Sequence, residues 1–199
     1  MAFDIQEFRS EMVGDGARPN LFEVNIPLPS TGFASVGGSL DFNRKITFMC
    51  RSAELPGSTM GVAPVQFFGR DIKLAGNRTF DDWTVTVYND EDFTVRNAME
   101  KWMNGLNSHR SNLRVASGYN NNQYTADSEV YQYGKRGVEL GSVGIGGRPG
   151  PIKKYKFIGM WPVNVSPIQL DWGDNDRVEE FSVTFAYNWW QSQEDGVTT

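Results

Sequence analysis

A single cysteine and a single histidine set the first limits on this chain. With only Cys50, no internal disulfide can form, which suits a reducing compartment. A serine- or cysteine-based triad would have to use His109, which stands in a polar stretch without an orienting partner, so no catalytic residue is expected. No apolar run approaches the ~20 residues of a spanning helix, so no membrane insertion by this chain is expected. The opening MAFDIQEFRSEM lacks the basic start and apolar centre of a secretory signal. Basic residues are not in excess: 19 Lys and Arg against 24 Asp and Glu leave a net charge of −5. That is the wrong sign for gripping nucleic acid, though no bar to letting it pass.

Other chemistry is missing for reasons of spacing. The glycine-rich run Gly141 to Gly150 is not followed by Gly-Lys-Ser/Thr and has no strand-to-helix setting, which excludes a phosphate loop. Asp171, Asp174, Asn175 and Asp176 lack the alternation and closing Glu of a calcium loop and read as a solvated turn. Asp81 and Asp82 are adjacent, so on a strand they diverge and cannot act as a carboxylate pair. No metal and no cofactor is expected. Trp83, Trp102, Trp161, Trp172, Trp189 and Trp190 could build a sugar platform, but several stand in phase with apolar neighbours, as core or interface residues do. Trp189 and Trp190 face opposite ways on a strand, so a monomer has difficulty burying both, which hints at an interface between copies.

What the chain does have is alternation. Asp71 to Leu74 and Trp83 to Tyr88 alternate polar and apolar, with a break at Ala75-Gly76-Asn77-Arg78 where Gly-Asn tolerates positive φ. This predicts a hairpin-like unit in which Gly76, Asn77, Arg78 and Asp82 form a structural turn. Trp83, Val85 and Val87 share its apolar face, and Thr84, Thr86 and Tyr88 share the polar one. The closing segment VEEFSVTFAYNWW reads as a strand with Phe181, Val183, Phe185 and Tyr187 on one side, and Glu180, Ser182, Thr184 and Ala186 on the other. Lys45 to Arg51 is expected as a strand with Ile46, Phe48 and Cys50 inward, so Cys50 reads as a packing residue. Leu21 to Ile26, Glu129 to Tyr133 and Ile152 to Val165 complete the strands, the last with Tyr155, Phe157, Gly159 and Trp161 on one side. One substantial helix is predicted after Phe93, capped by Asn89 or Asp90 and ended by Gly105.

The 199 residues are expected to form one domain, with residues 1–16 as an N-terminal arm and 27–43 and 107–151 as loop excursions. The fold expected is mainly β: two antiparallel sheets as a sandwich or distorted barrel with one α-helix. In the loop SAELPGSTMGVAP, the apolar Leu55, Met60 and Val62 need burial that a contact between copies would supply.

Four blocks, ARPNLFEV, GNRTFDDWTVTVYND, KFIGMWPVNVSPIQLDW and VEEFSVTFAYNWW, resemble in identity and order the tail tube proteins of contractile-tailed bacteriophages. The resemblance implies a structural virion protein whose sheets join edge to edge into hexameric rings stacked as the inner tube of the tail. It implies a sheath protein outside, baseplate and terminator proteins at the ends, and DNA passing through without specific binding. It also implies that the loop around Leu55, Pro56 and Gly57 reaches over neighbouring subunits. The polar faces carrying Thr84, Thr86, Glu180, Ser182 and Thr184 are the expected channel lining, with outer solvent or the sheath as the other surface they could meet. The location expected is the virion tail, assembled in the host bacterial cytoplasm. Two alternatives stay open at this point: a glycan- or protein-binding β-sandwich module, and the tube of a phage-tail-like secretion particle.

Overall fold

A computed structural model describes residues 4–12, 16–29, 39–114, 121–135 and 151–193. Parts of the expected arm and of both loop excursions, including the run Gly141 to Gly150, lie outside the described residues. In chain order the elements are α1 (Ile5–Glu11), β1 (Phe22–Asn25), α2 (Ser39–Met49), β2 (Cys50–Ala53), β3 (Thr59–Phe67), β4 (Arg70–Thr79) and β5 (Trp83–Tyr88). They continue as α3 (Thr94–Leu106), α4 (Asn121–Tyr124), β6 (Ala126–Tyr133), β7 (Pro151–Val165), β8 (Glu180–Ala186) and β9 (Trp189–Gln193).

The strands form two antiparallel sheets. Seven belong to one sheet of order β1-β6-β7-β8-β5-β2, with β9 also on β7, and β3 and β4 form a separate pair. The sheet is folded along β7. The first part of that strand pairs with β6 and β9, whereas Trp161 to Val165 pairs with β8. The fold falls at Gly159, which has φ +65° and whose N–H donates to Asp127 Oδ1 at 3.1 Å. A residue in this left-handed conformation flips strand parity. Phe157 is buried before it, and Met160 and Pro162 after it, so the expected Tyr155–Phe157–Gly159–Trp161 face does not continue.

Two expectations about architecture are corrected. The sheet path runs open from β1 to β2 and closes into no barrel. The described residues hold three helices of seven residues or more rather than one. α2 is the element read as the strand Lys45 to Arg51. Phe42 and Ile46 are buried and Met49 packs against the core, a spacing of four and three that places them on one helical face, while Phe48 points to solvent. α3 matches the predicted helix, burying Val95, Ala98, Met99, Trp102 and Gly105. Its N-cap position is Phe93 at φ +52° without a side-chain cap, and Asp90 Oδ1 instead accepts from the Thr94 N–H at 3.2 Å.

The core lies between the folded sheet and helices α2 and α3. Trp83, Val85 and Val87 of β5 and Phe181, Val183 and Phe185 of β8 form one wall, and Val24, Val130, Phe157 and Met160 form another. Trp83 stacks on Phe157 at 4.4 Å, joining the two halves. The Trp102 indole N–H donates to the Tyr124 carbonyl at 2.8 Å, so its polar edge is satisfied where the ring is buried. Lys45 of α2 reaches Asp90 at 2.7 Å, Asp92 at 3.0 Å and Thr94 Oγ1 at 2.9 Å, tying α2 to the start of α3.

Candidate functional site

Strand parity gives the sheet a second, uncovered face. In the β5–β8 register Thr84 opposes Thr184, Thr86 opposes Ser182 and Tyr88 opposes Glu180. The structure therefore brings Thr84, Thr86, Glu180, Ser182 and Thr184 together on one side, away from the core. Thr84 and Thr184 share a hydroxyl hydrogen bond of 3.2 Å. Arg51 of β2 pairs with Glu180 and lies 6.0 Å over the Tyr88 ring, so the one carboxylate of these five residues is matched by a cation. β7 extends the face with Asn164, opposite Thr184. The result is a surface of hydroxyls, an amide and a balanced ion pair. The hydroxyls have no histidine beside them and the one carboxylate is held by Arg51, so nothing on this face is set to activate a nucleophile.

The second feature is the β3–β4 hairpin, whose strands pair only with each other. The reversal expected at 75–78 is at Phe68-Gly69 instead, with φ +45° and +81°, as a two-residue type I′ turn requires. Gly76, Asn77 and Arg78 lie inside β4. The register slips there, with Met60 opposite Arg78 but Val62 opposite Ala75, so Gly76-Asn77 forms a β-bulge against Gly61. A Cβ on Gly76 would come within 3.0 Å of the Gly61 backbone, which explains two glycines at the crossing. Asp82 lies exposed in the connector before β5, and no ion pair links Arg78 to Asp81 or Asp82 among the described residues.

Nearly every hairpin side chain is exposed, including Met60, Val62, Val65, Phe67, Ile72 and Leu74, and Phe68 at the tip is 92% exposed. Sequence reasoning missed the Phe67-Phe68 tip because Pro64 and Gly61 read as loop. A two-stranded arm tolerates a proline, since only one edge of each strand carries ladder bonds. The arm's base is fixed to the body. The Trp83 indole donates to the Glu54 carbonyl at 2.8 Å and the Trp190 indole to the Gly57 carbonyl at 2.9 Å. Leu55, Pro56 and Gly57 therefore sit in a pinned connector, with Leu55 half-exposed beside a groove of about 370 Å³ that Pro19, Ile152 and Tyr155 also line.

Elsewhere the residues weighed for chemistry stay apart. His109 occupies the turn after α3, its backbone N–H donating to Asn104 Oδ1. Asp171 Oδ1 accepts from the Gly173 N–H at 2.8 Å, a local turn. Among the described residues no group of three or more His, Cys, Asp and Glu is placed to hold a metal, and no helix is long and apolar enough to cross a membrane. Trp83 and Trp102 belong to the core, Trp190 packs against Phe80 and Tyr155, and Trp172 stands alone in solvent, so the tryptophans form no common platform. Burial pushes the Cys50 thiol up to about 12, the behaviour of a packing residue rather than a nucleophile.

An open sheet with a neutral polar face, joined to a free apolar arm, defines a subunit built for an array rather than for catalysis. The chain belongs to the phage tail tube protein family, whose model matches residues 17–193. It is thus a structural virion protein of the tail and not an enzyme. It is 33% identical over 185 residues to tail tube protein gp19 of Enterobacteria phage T4, covering 89% of this chain and 93% of that one. It is 26% identical to the tail tube protein of Serratia phage KSP90, covering 92% and 93%. Its fold is similar, at 10% identity and a TM-score of 0.58, to a solved chain of the PVC extracellular contractile injection system, in its sheath/tube terminator in the extended state, covering 92% and 99%.

Proposed function

We propose that identical copies of this chain, each acting as one domain, join edge to edge into hexameric rings that stack as the inner tube of a contractile tail. The observation that carries this reading is the open sheet with its uncovered polar face. β1 and β2 end the sheet path, and such edges invite pairing that a closed ring would confine to neighbours. The face carrying Thr84, Thr86, Glu180, Ser182 and Thr184 lines the bore. Duplex DNA carries one charge per ~1.7 Å and would adhere to a cationic wall. A hydroxyl-rich wall with its ion pair balanced gives it nothing to hold, and screening limits any residual field to about 8 Å.

Around this tube lies a sheath, with baseplate and terminator proteins at the ends, and assembly takes place in the host cytoplasm. The similarity to a solved chain from a sheath/tube terminator assembly supports that arrangement. Leu55, Pro56, Gly57, Met60 and Val62 become buried between subunits, which removes the exposed apolar surface of the connector and arm. Electron microscopy of the concentrated protein tests the proposal: hollow six-fold rings or stacked tubes are expected, and a persistent monomer overturns it. The same fold in extracellular injection systems favours a second reading, a tail-like particle whose cargo is protein. Nuclease-protected DNA in purified particles separates the two.

A further inference from the structure

We infer that the segment 194–199, which follows β9, folds back over the groove beside the start of β7 in its own subunit and covers it until a second copy displaces it. The displacement rests on the self-assembly proposed above, to which the cover adds a restraint on the free subunit.

The groove and the segment match in chemistry. The groove, of about 370 Å³, is lined by Arg18, Pro19, Leu55, Ile152, Lys153 and Tyr155. Its apolar members Leu55 and Ile152 are exposed, and Arg18 and Lys153 put cations beside them. Such a surface fits a short acidic segment that also brings an apolar side chain. Residues 194–199 read Glu-Asp-Gly-Val-Thr-Thr, two carboxylates and one aliphatic residue.

Register aims the segment at the groove. β9 runs antiparallel to β7, with Trp190 opposite Phe157, Ser192 opposite Tyr155 and Gln193 opposite Lys154. β7 reaches beyond that last pair to Lys153, Ile152 and Pro151. Continued by one residue, the ladder sets Glu194 opposite Lys153. Alternation puts Lys153 on the side of Tyr155 and Phe157, and Glu194 on the side of Ser192 and Trp190, which is the same side. Directly opposed residues hold their Cβ atoms about 4.5–5.5 Å apart, close enough for Glu194 to pair with Lys153 at the groove. Asp195 falls on the other face. Gly196 then lets the chain leave the strand axis, and Val197 stands within roughly 10 Å of Glu194, in reach of Leu55 and Ile152. The Trp190 indole N–H, donating to the Gly57 carbonyl at 2.9 Å, already ties β9 to the connector that bears Leu55.

Leu55 belongs to the surface that the proposed assembly buries between copies. A segment lying on it competes with the neighbour, and association weakens by the fraction of subunits whose groove is open. One exposed ion pair and one valine hold the cover loosely, so a growing assembly displaces it while scattered subunits stay apart.

The test places a photoreactive benzophenone amino acid at Val197 in the full chain, diluted until unassembled, in a mixture of isotopically heavy and light protein. Illumination should crosslink position 197 to peptides holding residues 17–19, 55 or 152–155 of the same chain, read by mass spectrometry. In parallel, Glu194→Lys should lower the concentration needed for tubes by about two- to fivefold, as loss of one exposed ion pair allows. Asp195→Lys carries the same charge change on the other face and should leave that concentration unaltered. Crosslinks that fall only elsewhere or only between heavy and light chains, a Glu194→Lys protein that needs as much protein as the unsubstituted chain, or an equal effect of Asp195→Lys overturns the inference and leaves the tube reading intact. An unsubstituted chain that forms neither rings nor tubes overturns the reading beneath it.

Discussion

Replacing Gly159 with alanine tests the fold of the sheet at its most constrained point. The backbone there has φ +65°, which costs an L-residue roughly 1–2 kcal/mol that glycine avoids. A Cβ at this site would lie 2.4 Å from Asn188 Nδ2 and 3.4 Å from Asn188 Cγ. The Asn188 backbone cannot retreat freely, because its N–H is bonded to the Ile158 carbonyl at 3.0 Å. Only the short amide side chain can swing aside, so the total is about 2 kcal/mol, most of it backbone. For a chain of this size each kcal/mol lowers Tm by about 2–4 °C, giving an expected drop of roughly 4–8 °C. Thermal and urea melts followed by tryptophan fluorescence, at dilutions where the protein is unassembled, measure it. Gly57→Ala is the control, since nothing lies within 4 Å of its added carbon. Gly159→Ala combined with Asn188→Ala should recover the steric part and retain the backbone part. A Gly159→Ala protein melting within about 1 °C of the unsubstituted chain would refute the claim that this residue makes the fold.

Ser128 is fully buried and its hydroxyl has no hydrogen-bond partner among the described residues, so Ser128→Ala should raise unfolding stability by ~1 kcal/mol in urea melts. Cys50, pushed up to about 12 by burial, should resist thiol reagents at pH 8 and react at once in urea. Since its folded value lies above the unfolded one, the stability it contributes is complete below the ordinary thiol range and is lost as pH climbs toward the folded value; Cys50→Ala should flatten that alkaline decline. Burial pushes the Asp90 carboxyl up, but the Lys45 ammonium and the Thr94 N–H outweigh that and hold it below its usual value. The pair therefore stabilises the fold above the ordinary carboxylate range and loses this as pH falls below about 4, a slope that Lys45→Met should reduce in acid titrations.

Much of this could be read from side-chain parity, and the rest could not for identifiable reasons. β5 and β8 were legible because each alternates cleanly with one face in the core, and the same parity grouped Thr84 and Thr86 with Ser182 and Thr184. α3 was legible from its apolar spacing. α2 was not, since Ile46, Phe48 and Cys50 alternate as a strand would while Phe42, Ile46 and Met49 recur as a helix does. Tertiary burial of Phe42, absent from local pattern, decided it. Gly76-Asn77 reads as a turn in the sequence because a bulge and a turn ask for the same backbone freedom. Gly159 hid a parity reversal within β7, which an alternation count carries straight through. How the polar face sits relative to neighbours depends on contacts between copies, which parity within one chain does not encode.

β7 runs unbroken from one half of the sheet into the other, and this has a mechanical consequence. A load applied along the tail reaches both halves through one covalent backbone, so they cannot shear past each other as separately stacked layers could. The crease between the halves lies at Gly159, beside the bond from the Asn188 N–H to the Ile158 carbonyl. Each subunit should therefore flex as a stiff plate with a single crease, and the stacked column proposed above would bend by small equal increments instead of buckling at one level.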